Sequence, residues 1–472
     1  MGEKATLLSE SVANGVCLPP VPNKKSKVAR VLLWSVPMLL LLFGIFWVHL
    51  LNVVGGDDWI ERHFLRYASH SAVTRRDARV MIITIDPART DGLGEFDDGT
   101  IANQKWRAAH AELLAKLVGA QARLVAFDLT FPAPAAQYTA ENSKLADALR
   151  AANASPRSRA LVGYERAMDA NPAIDAVLTK EQMGLVSVRE LTNDLESGQY
   201  LARVLLAESL VTPSALGAQE QLVRPVPLPL AMYLADQELE RGKPSVSVDP
   251  SRGGLVLRWP NGESRFIQTE VSVCEIGSTG CDPQGNPGNA TELRRAVMPL
   301  WMGTALDFPD RSYAAVLNQP TLGENYAGSV LFVGALTDKE KQALGPGALQ
   351  DAYGVHVHAR VFSDLVKGSY PRHARPLWQL ISLVAVLAAG LLARLFMPIK
   401  SVKIPIGWLK DFPLPVGFFI VAGVYLFVAG LIFRYYYVFF DLGYQLLALL
   451  VGYFAIPRLA GLVEAPAPKG KE

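Results

Sequence analysis

Four long apolar runs limit what this chain can fold into. Val28 to Leu51 comes first, with only Arg30 and His49 ionisable inside it, and Leu377 to Met397, Leu414 to Phe433 and Val438 to Ile456 follow together near the other end. Each is close to the roughly 20 residues that a helix needs to cross a bilayer. The chain is therefore expected to cross a membrane at 28–51, 377–397, 414–433 and 438–456, and to hold one large segment, Asn52 to Pro376, on a single side. The first run is longer than the ~7–15 apolar residues of a signal peptide, and no small-residue cleavage site follows it, so it reads as a retained anchor. Charged residues still make up 19% of the chain, which fits neither a soluble enzyme nor a polytopic transporter.

Basic residues set the expected orientation. Lys24, Lys25, Lys27 and Arg30 precede or open the first run; Arg394, Lys400, Lys403 and Lys410 lie near or in the loop 398–413; Arg458, Lys469 and Lys471 follow the last run. If the spans alternate, all fall on one side, which the positive-inside rule assigns to the cytoplasm. The tails 1–27 and 457–472 are then cytoplasmic, and 457–472 leaves no room for a cytoplasmic catalytic domain. A net charge of +2 says little, because it sums a membrane part with an outer domain, and nothing points to nucleic acid. Outside the cytoplasm, Cys274 and Cys281, which bracket EIGSTG, are expected to form a disulfide. A metal pair is the weaker alternative, since the spacing is not CxxC. Cys17, in the polar tail, is expected to be unpaired.

The outer segment is organised around Arg79 to Phe131, which reads RVMIITID, a polar loop, KWRAAHAELLAKLVGAQ and then ARLVAFDLTF. That is strand, helix, strand, and nearly all-apolar strands joined by a long crossover favour a parallel pair buried on both faces. RALVGYER, MGLVSVRE, GGLVLRWPNG and SVLFVGA add strands, so the expected class is an α/β domain with a mostly parallel sheet. SKLADALRAAN, the proline-led LVRPVPLPLAMYLADQELER and VHVHARVFSDLVKGSY read as helices, the last stopped by Gly368, and Asp57 to Ser71, with His63 and His70, reads as a helix leaving the membrane. Glu270 to Pro309 shows little periodicity and reads as an insertion.

In parallel sheets ligands bind beyond the carboxyl ends of the strands. Asp86 and Asp128 end two strands, and His110, His356 and His358 are the polar residues best placed to join them. His356 and His358 share a face if V-H-V-H is extended, as metal ligands would; if it is helical they diverge by about 200°. The competing reading has the aspartates capping helices and the histidines packed as hydrogen-bonded core residues. Neither G-x-G-x-x-G, a P-loop, G-x-S-x-G nor H-E-x-x-H occurs, so no catalytic residue, metal or cofactor is assigned. LGPGAL at Leu344 to Leu349 reads as a turn. In the membrane part, Asp441 and Gln445 are candidates for pairing with another subunit, and Gly423, Ala429 and Gly430 for close helix approach.

An IDPA-type strand end, the pattern R-x-x-H-A-x-L-L-x-x-L (Arg107, His110, Ala111, Leu113, Leu114, Leu117), the strands ARLVAFDLTF and SVLFVGA, and the helix start GVHVHA occur in that order, with one span before them and three after. This set resembles the CHASE domain of type two, the cyclase/histidine-kinase-associated sensory extracellular domain found in bacteria. The resemblance implies an extracytoplasmic sensor that in relatives is joined to a cytoplasmic cyclase or kinase. Here the output domain is expected to be absent, the tryptophan/proline-rich stretch keeps Trp106, Arg107 and His110 without the prolines, and His356 stands where relatives often carry glutamate. The candidate ligand set is Asp86, Arg107, His110, Asp128, His356 and His358. The expectation is a non-enzymatic sensory or regulatory subunit of a bacterial inner membrane, with residues 52–376 periplasmic, working with another membrane protein or a multi-subunit complex or as a homo-oligomer, and without a cofactor. The alternatives are a structural subunit of an envelope complex with no small-molecule ligand and, least favoured, a metal-dependent periplasmic enzyme.

Overall fold

A computed structural model describes residues 24–47, 76–86, 105–165, 170–186, 203–213, 219–278, 281, 287–299, 308–336, 341–343, 351–396, 400–402, 412–414 and 416–460. The expected helix 57–71, the loop Leu344–Leu349, most of both tails including Cys17, and most of 398–413 lie outside them. The chain divides into an outer unit, His63–His373 with Gly430–Phe439, and a second unit that holds most of the apolar helices.

The outer unit is built on strands β1 (Val80–Ile85), β2 (Leu124–Thr130), β3 (Arg159–Tyr164), β4 (Met183–Leu185), β12 (Asp310–Ser312) and β13 (Val330–Ala335). They form one parallel sheet in the order β12-β1-β13-β2-β3-β4. Successive residues feed opposite faces, as the pleat requires. Ile82, Leu124, Ala126, Val330 and Phe332 pack with helices α4 (Leu228–Arg241) and α6 (Gly354–Lys367). Ile83, Val125, Phe127, Leu331 and Val333 pack with α2 (Arg107–Gly119), α3 (Thr139–Ala154) and the short α5 (Tyr313–Leu317). Coverage on both sides is why these strands carry unbroken apolar runs.

The strands β1 and β2 are parallel but not neighbours, because β13 lies between them, with Val330 opposite both Val80 and Leu124. The crossover through α2 is long enough to skip a position, and the vacated central slot takes the strand in which all six residues are buried. At the amino edge Asp236 of α4, 1% exposed, receives Arg79 at 3.1 Å and Arg123 at 2.5 Å, which fixes α4 to the starts of β1 and β2.

Between β4 and β12 the chain builds two antiparallel sheets. Strands β5 (Arg203–Thr212), β6 (Gln219–Leu222), β10 (Glu270–Glu275) and β11 (Glu292–Pro299) pair in the order β10-β11-β5-β6, and β7 (Ser245–Asp249), β8 (Gly254–Arg258) and β9 (Ser264–Gln268) form a meander. Part of the presumed insertion is thus regular sheet. Its periodicity is faint because β10 is half-buried at best and sits at a sheet edge. Cys274, at the end of β10, is bonded to Cys281, with Cα atoms 5.9 Å apart. A small ladder, β14 (Lys341–Ala343) with β15 (Asp351–Tyr353), precedes α6.

The second unit contains α1 (Lys24–Trp47), whose apolar part is Val31–Phe46, and most of the three described helices long and apolar enough to span a membrane: α7 (Pro376–Phe396), Gly417–Tyr436 of α8 (Val416–Tyr436), whose residues from Gly430 on group with the outer unit, and Leu442–Leu459, which begins as α9 (Leu442–Leu450). Leu383 and Leu387 of α7 pack with Leu42 of α1 and Tyr444 and Ala448 of α9. The close approach is made at Gly390 and Gly452: a Cβ there would fall 2.7 Å from the Leu449 carbonyl oxygen and 2.2 Å from that of Leu387. Gly423 and Gly430, the small residues expected on the lateral surface of the helices, have nothing within 4 Å of such an atom among the described residues. In the outer unit β16 (Arg372–His373) pairs in parallel with β19 (Val438–Phe439). Because β16 leads into α7 and β19 lies between α8 and α9, the start of α7 and the α8–α9 turn fall on the same side. A second short ladder, β17 (Lys400–Val402) with β18 (Phe412–Leu414), lies in the chain between α7 and α8.

Candidate functional site

Asp128 sits near the carboxyl end of β2, level with Gly334 of β13. A Cβ at Gly334 would lie 2.7 Å from the Cβ of Val355, so only glycine lets the first turn of α6 rest on the strand end. That contact brings in His358. Its Nε2 is 3.1 Å from the Val186 carbonyl oxygen and 3.4 Å from Asp128 Oδ1. A carbonyl oxygen only accepts, so the geometry assigns the ring proton to Nε2. Asp128 is 4% and His358 2% exposed. Burial pushes the Asp128 carboxyl up to about 7, and burial pulls His358 down to about 4 against the opposing bond to Val186. The pair thus holds one proton from about 4 to about 7. Among the described residues, Asp128 Oδ2 and His358 Nδ1 are buried without a hydrogen-bond partner.

His356 does not join this pair. Because α6 is helical from Gly354, the two histidines diverge. His356 stacks near Tyr353, with ring centroids 5.9 Å apart, and is held below the ordinary histidine value by burial, with Asp310 of β12 opposing.

Arg107 and His110 lie on the other face of the sheet. His110 Nδ1 bonds the Tyr313 hydroxyl at 2.8 Å, and its ring sits edge-on to Phe127 and Phe131. Burial, then the nearby Arg107 charge, lowers His110 to about 3, so it is neutral. Arg107, 0% exposed, donates to Asn142 Oδ1 and to the Pro132 carbonyl, each at 2.6 Å, and Asn142 is bonded in turn to Asn171. Among the described residues no carboxylate pairs with Arg107, and burial lowers it to about 10. Asp86 lies just beyond β1, half-buried, with β13 between its strand and that of Asp128.

Four of the six candidates therefore form two pairs on opposite faces rather than one site, and Asp86 and His356 join neither. Asp128 with His358 and Arg107 with His110 are the pairs brought together. Sequence reading missed Tyr313, Asn142 and Asn171. Only Asn171 carries a legible signal, as the Asn of an Asn-Pro pair that caps the helix Pro172–Asp175. Among the described residues no three His, Cys, Asp or Glu side chains are grouped to hold a metal ion. In the membrane unit Gln445, 0% exposed, donates to the Gln379 carbonyl at 3.2 Å, and the Asp441 amide donates to Gln379 Oε1 at 3.2 Å. Gln445 thus donates its amide N–H within the chain.

A parallel sheet with buried polar pairs at its carboxyl edge, placed between apolar helices, is matched over residues 38–395 by the family model of the CHASE2 domain. The chain belongs to the CHASE2 family. The match begins inside α1 and ends inside α7, so it takes in the later part of α1 and nearly all of α7, while α8 and α9 lie beyond it. CHASE2 is a sensory, non-catalytic, extracytoplasmic domain, and this is a membrane protein that carries one. No curated protein and no solved structure matches the chain.

Proposed function

We propose that this CHASE2 protein is a non-enzymatic sensory or regulatory subunit of a bacterial inner membrane. Its outer domain is periplasmic and its termini cytoplasmic. It reads a periplasmic ligand or partner and passes the change to another membrane protein. The observation that carries this reading is the course of α6. Its first turn holds His358 against Asp128, and residues 368–375 alone separate its end from α7. A shift at the carboxyl edge therefore has a short, partly helical route to a membrane helix, which is how packed elements transmit small displacements. The lipid-compatible face of α8, with Phe419, Val424 and Phe427 exposed, supports a partner within the bilayer.

Purification of the full-length protein from its native membrane in mild detergent tests this. A membrane protein recovered in stoichiometric amount is expected; a chain that runs alone overturns the partner reading.

A further inference from the structure

A cavity of about 190 Å³ opens at the amino edge of the parallel sheet, between the start of β3, the turn into β4 and the carboxyl-terminal half of α4. It is remote in the fold from Asp128 and His358, which occupy the carboxyl edge. Leu161, 0% exposed, and Leu234, 8% exposed, give it an apolar floor. Its rim is charged. Arg159, Arg224 and Lys243 face Glu181 and Glu238, which leaves one positive charge in excess.

The ion pairs on this rim are loose. Glu181 serves two cations at once, Lys243 at 3.4 Å and Arg224 at 3.6 Å, and Arg159 stands 3.9 Å from Glu238. All three separations exceed the ~2.7–2.9 Å of a strong charge-assisted hydrogen bond. Burial pushes the Glu181 carboxyl up, but bonds from its own amide and from Thr179, with Arg224 and Lys243 beside it, hold it below the ordinary carboxylate range. Glu181 is therefore charged, and the surplus of the rim remains positive. Hydrogen-bonding capacity on Arg224 and Lys243 is available to an anion without breaking a tight pair.

We propose that this cavity binds a small organic monocarboxylate, its carboxylate on the cationic rim and its short apolar tail on Leu161 and Leu234. At about 30 Å³ for each water-sized group, the space accommodates roughly six non-hydrogen atoms, the size of a four-carbon acid. A single excess charge matches one carboxylate better than a doubly charged phosphate, and an apolar floor has no use for phosphate oxygens. This inference goes beyond the partner reading and does not depend on it, since binding is read on the purified chain alone.

The test is thermal melting of the full-length protein in detergent with butyrate as the probe, at constant ionic strength set with sodium chloride. Ligands that bind only the folded state raise Tm saturably. A rise of about 3 °C is expected at tenfold half-saturation. Arg224→Gln should abolish it. Lys243→Gln, at a side chain 60% exposed and so outside the packed core, should raise the half-saturation concentration several-fold, and it decides the matter if the first variant does not fold. The absence of a rise beyond that given by chloride, an equal rise in Lys243→Gln, or an equal rise with inorganic phosphate would overturn the proposal.

Discussion

Replacing Asp128 by Asn should expose a pH dependence that the native pair conceals. Between about pH 4 and 6.5 the unfolded chain keeps one proton on this pair, on His358, because the free aspartate is ionised and the free histidine is not yet neutral. The folded pair also holds one proton in this window. Folding then neither takes up nor releases a proton there, and the pair contributes no slope to stability. The two halves have opposite signs. Asp128, raised from 3.8 to about 7, contributes stability that is complete below 3.8 and lost as pH rises to about 7. His358, lowered from 6.5 to about 4, contributes stability that is complete above 6.5 and lost as pH falls to about 4.

At about 1.4 kcal/mol per pH unit, Asp128→Asn should gain about 3 kcal/mol relative to the native chain between pH 4.5 and 6.5. His358→Gln should lose about the same over the same window. Urea unfolding of the purified protein in detergent, run for all three chains across that range, gives the differences directly, and groups elsewhere cancel in the subtraction. Parallel profiles for the native chain and Asp128→Asn would refute the assignment of a shared proton to this pair.

Other expectations follow from the packing. Tyr313→Phe removes the hydroxyl that His110 Nδ1 bonds at 2.8 Å, and should cost about 1–2 kcal/mol in the same unfolding measurement. In the membrane unit, Gly452→Val places atoms against the Leu387 backbone and should abolish a monodisperse peak in detergent, whereas Gly423→Val, which meets nothing, should leave it intact. Of the three cysteines, only Cys17 should react with maleimide in the denatured, unreduced protein, and all should react after reduction. Loss of the Cys274–Cys281 bridge by paired serine substitution should lower stability by about 2 kcal/mol, the chain-entropy figure for so short a loop.

The sequence by itself determined the elements whose residues report their own surroundings. The unbroken apolar runs of β1, β2 and β13 could only be strands covered on both faces, and the long runs at 377–397 and 414–433 could only be membrane helices. Two cysteines in an outer segment sufficed to expect a bridge. Tertiary structure alone decided what depends on which elements meet. Nothing local marks β13 as the strand that separates β1 from β2, because all are equally apolar and the choice rests on how three crossovers pack together. The split of the six candidate residues has the same origin. Asp128 and Phe127 are adjacent in sequence, yet the pleat sends them to opposite faces, one to His358 and the other to His110. The helical start of α6 turned His356 away from His358, a choice the alternating V-H-V-H pattern left open. Gln379, whose carbonyl accepts from Gln445, lies 66 residues away and carries no signal of its own until α7 and α9 are brought into contact.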